Sequence, residues 1–126
     1  MIILKSIIIT TSDGNKSAMN FDELINRLKK EPSDDTEIIF DGANKLGEHI
    51  AQHITEMFDN VKIMKPNTEM YGARARYVLN YEMLRYASRN DYGIIVYAND
   101  SVAYHLCTIR DTYTDNERVD PSCIPF

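Results

Sequence analysis

The residues best equipped for chemistry gather between positions 71 and 101. Behind Tyr71-Gly72 come Arg74, Arg76, Tyr77, Asn80 and Tyr81. The run Tyr92-Gly93-Ile94-Ile95-Val96-Tyr97-Ala98 then closes on Asn99-Asp100-Ser101. A guanidinium holds phosphate or carboxylate through paired N–H donors. A side-chain amide reads a base edge or a ribose hydroxyl. A serine opening a helix caps it and offers its hydroxyl to an anion. Upstream, Gly42-Ala43-Asn44 supplies small residues where a backbone would approach a ligand closely. Together these residue types describe a pocket of nucleotide size. They do not fix a reaction.

Other arrangements are weaker. His49 and His53 lie four apart, a spacing that can place two imidazoles on one helix face for zinc. No third ligand accompanies them, and Glu48 does not stand as the glutamate does in H-E-x-x-H, so no metal is expected. His105 and Cys107 are two apart and would not face each other on a helix. The chain has neither G-x-G-x-x-G nor G-x-x-x-x-G-K-[ST], which leaves a dinucleotide fingerprint and a P-loop unsupported. No cofactor is expected.

Elements must position these residues. Ile2 to Thr10 is β-branched and reads as a central strand buried on both faces, stopped by the turn residues Ser12-Asp13-Gly14-Asn15. The apolar opening is broken by Lys5 and Ser6, so it reads as strand and not as a targeting segment. Asn20 with Glu23 is an N-terminal cap for a helix carrying Phe21, Leu24, Ile25 and Leu28. Glu37–Asp41 is a second strand, Leu46–Phe58 a second helix and Asn60–Met64 a third strand. Gly72–Ala87 is a third helix and Gly93–Ala98 a fourth strand. Val102–Ile109 is either a helix or a turn. The chain from Thr114 is expected to be an extended tail, so a single domain spans 1–113 and the tail 114–126.

Alternating strand and helix imply a Rossmann-like α/β three-layer sandwich around a mostly parallel sheet, because parallel neighbours need crossover connections. Ligands in such sheets sit off the carboxyl ends of the strands. The candidates are then Thr10-Thr11-Ser12, Gly42-Ala43-Asn44, Pro66-Asn67 and Asn99-Asp100-Ser101. A net charge of −5 lacks the basic footprint of a nucleic-acid binder. No run reaches membrane-spanning length. Two cysteines without metal spacing suit a reduced, cytoplasmic chain. Tyr71, Tyr77, Tyr81 and Tyr86 make the segment 71–87 aromatic, which suits core packing or a homo-oligomeric contact.

The spacing Tyr71-Gly72-x-x-Ala75-x-x-x-x-Asn80-x-x-Met83 resembles the YG-x-x-AG-x-x-RN-x-x-M signature of the small bacterial and phage YspA-like proteins. These belong to the SLOG group of Rossmann-like folds, with the DprA proteins and the LOG phosphoribohydrolases. A second block, Gly42-Ala43 and then Gly47-Glu48-His49-Ile50-Ala51, resembles G-A-x-G-A-D-x-L-A with about one residue inserted. The departures are specific. Thr10-Thr11-Ser12-Asp13 replaces a G-S-R-like turn, Arg76 replaces a glycine and Leu79 replaces the arginine. Arg76, or Arg74, would restore the charge from one helical turn earlier, and Arg76 would narrow the pocket.

The resemblance implies a nucleotide-derived ligand, held without turnover or with cleavage of an N-glycosidic bond. A protein-interaction domain is the third reading. The implied binding set is Thr11, Ser12, Gly42, Ala43, Asn44, Gly47, Tyr71, Gly72, Arg76, Asn80, Asn99 and Ser101. Glu48 would contact a ribose hydroxyl or stabilise an oxocarbenium ion. Homo-oligomers are common in the group.

Overall fold

Three consecutive isoleucines set the centre of the molecule. In the computed structural model, which describes residues 5–11, 20–31, 34–41, 45–97 and 101–116 (of 45–47 and 111–116 the backbone alone), Ile7, Ile8 and Ile9 are all buried in strand β1, Lys5–Thr10. Side chains alternate across a strand. Ile7 and Ile9 therefore enter one core with Ile38 and Phe40, and Ile8 enters a second with Ile39.

Strand β2, Thr36–Asp41, pairs in parallel with β1, and β3, Asn60–Met64, pairs in parallel with β2. β4, Asp91–Val96, pairs in parallel with the other edge of β1. The sheet order is β3-β2-β1-β4 and every pairing is parallel. The chain thus steps outward from β1 to β3, then returns across β1 to place β4. With crossovers of one hand, that reversal moves the later helices to the opposite face. Helices α1, Phe21–Leu28, and α2, Lys45–Ile54, pack on the Ile7 face through Leu24, Leu28, Ile50 and Ile54. Helices α4, Ala75–Ala87, and α5, Ser101–Asn116, pack on the Ile8 face through Leu79, Met83, Leu84, Leu106 and Ile109. The protein is an α/β fold, a Rossmann-like three-layer sandwich, as the alternating pattern implies.

Local signals set the ends. Asn20 caps α1, its Oδ1 accepting from the Glu23 amide at 2.8 Å. α2 stops at Ile54 and not at Phe58. Residues 55–57 form turns in which Met57 N bonds Ile54 O at 2.9 Å, and Phe58 is buried just beyond. β4 lies two residues earlier than the apolar run suggests, because its register follows β1 from Lys5↔Asp91 to Thr10↔Val96.

The expected helix from Gly72 is two pieces, preceded by an unexpected short helix. A short α3, Thr68–Tyr71, is capped by Asn67, whose Oδ1 accepts from Met70 N at 3.0 Å. A 3-10 turn, Gly72–Arg74, follows, and α4 begins at Ala75. Gly72 has φ +59°, a backbone state that a side chain disfavours. It redirects the chain and does not start the helix. α4 buries Val78, Leu79, Tyr81, Met83, Leu84 and Ala87, so apolar groups surround much of it and it serves as a core helix. The weakly patterned segment after position 101 is helical and runs to Asn116, three residues into the stretch expected to be extended.

Candidate functional site

The strand order reverses beside β1, and ligands in open α/β sheets lie off the carboxyl edge at such a reversal. A cleft occupies that position. It is lined by Thr10 and Thr11 at the end of β1, Asp41 at the end of β2, Arg76, Asn80 and Met83 from α4, and Val102 and Ala103 from the first turn of α5. Its side chains fill it so closely that no water-sized space remains inside, where ligand pockets run from roughly 300 Å³.

Arg76 keeps it narrow. Its Nη2 donates to the Thr11 carbonyl at 3.4 Å and lies 3.6 Å from Asp41 Oδ2. The Asp41 side chain is 4% exposed and that of Arg76 33%, so a buried carboxylate faces a cation that reaches solvent. Thr11 Oγ1 donates to the Asp41 carbonyl at 3.1 Å and ties the exits of β1 and β2 together.

Asn80, at 1% exposure, joins α4 to α5. Its Nδ2 donates to the Val102 carbonyl at 2.9 Å and meets His105 Nδ1 at 3.0 Å. A carbonyl only accepts, so the NH₂ end must face Val102. His105 Nδ1 is then also an acceptor, and the ring proton belongs on Nε2. The rings of Tyr77 and Tyr81 meet His105 edge-on at 5.0 and 5.5 Å. Burial lowers the His105 pKa from its ordinary value and raises that of Tyr81. Tyr77 Oη lies 3.3 Å from Ser101 Oγ.

Of the residues singled out in the sequence, Thr11, Arg76 and Asn80 converge on the cleft. Ser101 opens α5 and is exposed. Tyr71 and Gly72 sit at the α3–α4 junction and are not among the lining residues. Gly47 lies in the first turn of α2. Glu48, also in that turn, is exposed, with Oε1 3.6 Å from Lys65 Nζ. Such solvated pairs contribute little. Ser12, Gly42, Ala43, Asn44 and Asn99 lie outside the described residues. Among the described residues, no group of three or more potential ligands could hold a metal, and no helix is long and apolar enough to cross a membrane.

Two residues here, Asp41 and His105, were not among the binding candidates. Asp41 carried a signal, an acid closing an apolar strand at the edge where ligands bind. His105 carried none, because its partner Asn80 lies on another helix.

Two of the tyrosines on α4 are engaged inside the chain. Tyr81 is in the core. Tyr86 donates to Glu37 Oε2 at 2.9 Å, with Arg89 over its ring at 4.0 Å and Lys62 at 4.8 Å. Burial first, then the Glu37 contact, raises the Tyr86 pKa.

Compared with protein-family models, curated proteins and solved structures, the chain matches none. The class it belongs to rests on its own architecture, a parallel Rossmann-like sandwich with a polar cleft at the carboxyl edge.

Proposed function

We propose that this protein binds a nucleotide-derived small molecule in the cleft between the carboxyl ends of β1 and β2 and the helices α4 and α5. The observation that carries this reading is the convergence of a buried acid, a mobile-length cation and a helix start at the reversal point of a parallel sheet. Arg76 can take an anionic group, and Val102 and Ala103 of the first α5 turn border the same space. The partial resemblance to the YspA-like signature supports the same ligand class through Tyr71-Gly72, Ala75, Asn80 and Met83.

The narrow mouth requires Arg76 to swing outward on binding, a movement its one-third exposure permits. Glycosidic cleavage through Glu48 gains no support from the geometry, since that carboxylate stands exposed on the outer side of α2 beside Lys65. The test is calorimetry and thermal unfolding with a panel of nucleosides and nucleotides, with chromatography for released base. Saturable binding without base release is expected. Absence of binding at millimolar ligand overturns the proposal.

A further inference from the structure

β4 ends the sheet, and among the described residues no strand pairs with its outer edge. Its run Tyr92-Gly93-Ile94-Ile95-Val96 holds no charged residue. All five residues stay half-buried, whereas Ile8 and Ile9 of the neighbouring β1 are fully buried. Tyr92 and Ile94 pack against the Ile8 core and Ile95 against the Ile7 core, so what remains exposed lies along the open edge. Such an edge is a template for another strand, and proteins guard it with charge, proline or cover. The opposite edge is guarded. β3 carries the exposed Lys62 at its centre, with Nζ 4.8 Å from the Tyr86 ring centroid. Two β3 strands meeting about a twofold axis at their centre would set Lys62 against its own copy, a destabilising pair. From Tyr92 to Val96, β4 has no such guard.

We infer that β4 is the joint of a symmetric dimer. The outer edges of two copies pair antiparallel about Ile94, and two four-stranded sheets become one continuous sheet. The partner is a second copy because the strand is complementary to itself. A twofold contact is isologous, so every pairing off the axis occurs twice. With Ile94 on the axis, Tyr92 faces the partner's Val96, an aromatic–β-branched pair of the favourable kind. Gly93 faces the partner's Ile95, and space is open where a Gly93 Cβ would stand. Asp91 and the partner's Asp91 are then six residues apart along the ladder, about 20 Å. Neighbouring registers fit less well. An axis at Gly93 sets Asp91 against the partner's Ile95. An axis at Ile95 sets Gly93 against the partner's Tyr97, a residue already buried in its own core. Tyr81 and Tyr86 of α4 are engaged within the chain, which leaves β4 as the better contact between copies. The dimer is independent of the ligand proposed above.

A joint of five residues a side is small beside the roughly 20–30 of a standard interface, so dimer and monomer should exchange. Sedimentation equilibrium from micromolar to millimolar protein should show the mass climbing from 14.5 kDa toward twice that value. Gly93→Lys puts a charge where the partner's Ile95 lies, with room for it in the single protomer. It should weaken the dimer at least about tenfold. Ile63→Lys, on the exposed β3 edge, should leave the dimer unchanged. Amide hydrogen exchange between Tyr92 and Val96 should slow as concentration rises, and only at alternate residues, since every second N–H turns outward. A monomer at every concentration would overturn the joint. So would a dimer that survives Gly93→Lys, a dimer that Ile63→Lys dissolves, or exchange in β4 that ignores concentration. Circular dichroism checks that the variants fold. If Gly93→Lys does not, the exchange pattern of the native chain decides the matter.

Discussion

Asn80 Nδ2 and His105 Nδ1 meet at 3.0 Å across the α4–α5 interface, and the same amide nitrogen donates to the Val102 carbonyl at 2.9 Å. Both amide hydrogens are therefore committed to holding α5 against α4. A polar residue in a ligand cleft would be expected to bear mainly on binding. Asn80, at 1% exposure, bears on folding as well. Asn80→Ala leaves a half-buried imidazole nitrogen without its donor and should cost about 1–3 kcal/mol. Urea unfolding measures it. A loss under 0.5 kcal/mol, at about the noise of surface substitutions, would show that the two contacts do not hold the helices together.

The same contact gives a pH dependence with a definite sign. Protonating Nδ1 would turn an acceptor into a donor facing an N–H. Burial also disfavours the charged ring and lowers its pKa. The unfolded chain keeps the ordinary value, about 6.5. Between the two values the unfolded state binds more protons, so stability rises with pH there. The contribution of His105 is complete above about pH 6.5. It is lost as pH falls toward the lowered, folded value. Tyr77 and Tyr81 are the titratable groups that meet the ring from α4. Unfolding midpoints between pH 7.5 and 5 should fall more steeply for the native chain than for His105→Gln. Nitrogen chemical shifts should place the neutral ring's proton on Nε2. Parallel midpoint curves, or a proton on Nδ1, would contradict this geometry.

Much of the fold was legible because strands and helices alternate and each carries its own cap or turn. Asn20 announces the start of α1 by residue type alone; Asn67, read only as the close of a strand, caps the unexpected α3. The sheet could be inferred as parallel because Ile7-Ile8-Ile9 and Ile38-Ile39-Phe40 are apolar on both faces, as strands covered by two layers must be. Gly72 misled, because a glycine before an apolar helix looks like a start when it is a break. The site was half legible. Strand ends pointed to Thr11, and the signature spacing pointed to Arg76 and Asn80. Partners across elements, Asp41 for Arg76 and His105 for Asn80, depend on how layers stack, which no local pattern encodes. Glu48 has the chemistry of a site residue but stands exposed on α2, away from the lining set.

The Asp41–Arg76 pair should be worth more than a surface ion pair, since one member is buried. Arg76→Ala takes a cation from the buried Asp41 carboxylate, at a cost of about 3 kcal/mol, the low end for a broken buried pair. The one-third exposure of the guanidinium, which lets water reach the gap, is the reason for taking the low end. Removing the charge should relieve much of that penalty. The double variant Asp41→Asn/Arg76→Ala is expected to be more stable than the sum of the single losses by at least about 1 kcal/mol. Strictly additive losses in denaturant titrations would mean that the two side chains do not interact energetically, whatever their distance.

Two glycines should respond in opposite directions to the same substitution. At Gly72 a Cβ would meet nothing within 4 Å, so space is no obstacle, but φ is +59° with ψ −131°. That backbone state is strained for an L side chain, and Gly72→Ala should cost about 1–3 kcal/mol. Gly93 also has open space around its Cβ position but lies in β4, paired with Ile7 across the ladder. There alanine restricts the unfolded chain without straining the folded one, and Gly93→Ala should stabilise by about 0.5–1 kcal/mol. Urea midpoints of the two variants, read against the native chain, give the comparison. A harmless Gly72→Ala would mean that the turn between α3 and α4 relaxes to an ordinary backbone state. The placement of Arg76 over the cleft would then not depend on that glycine.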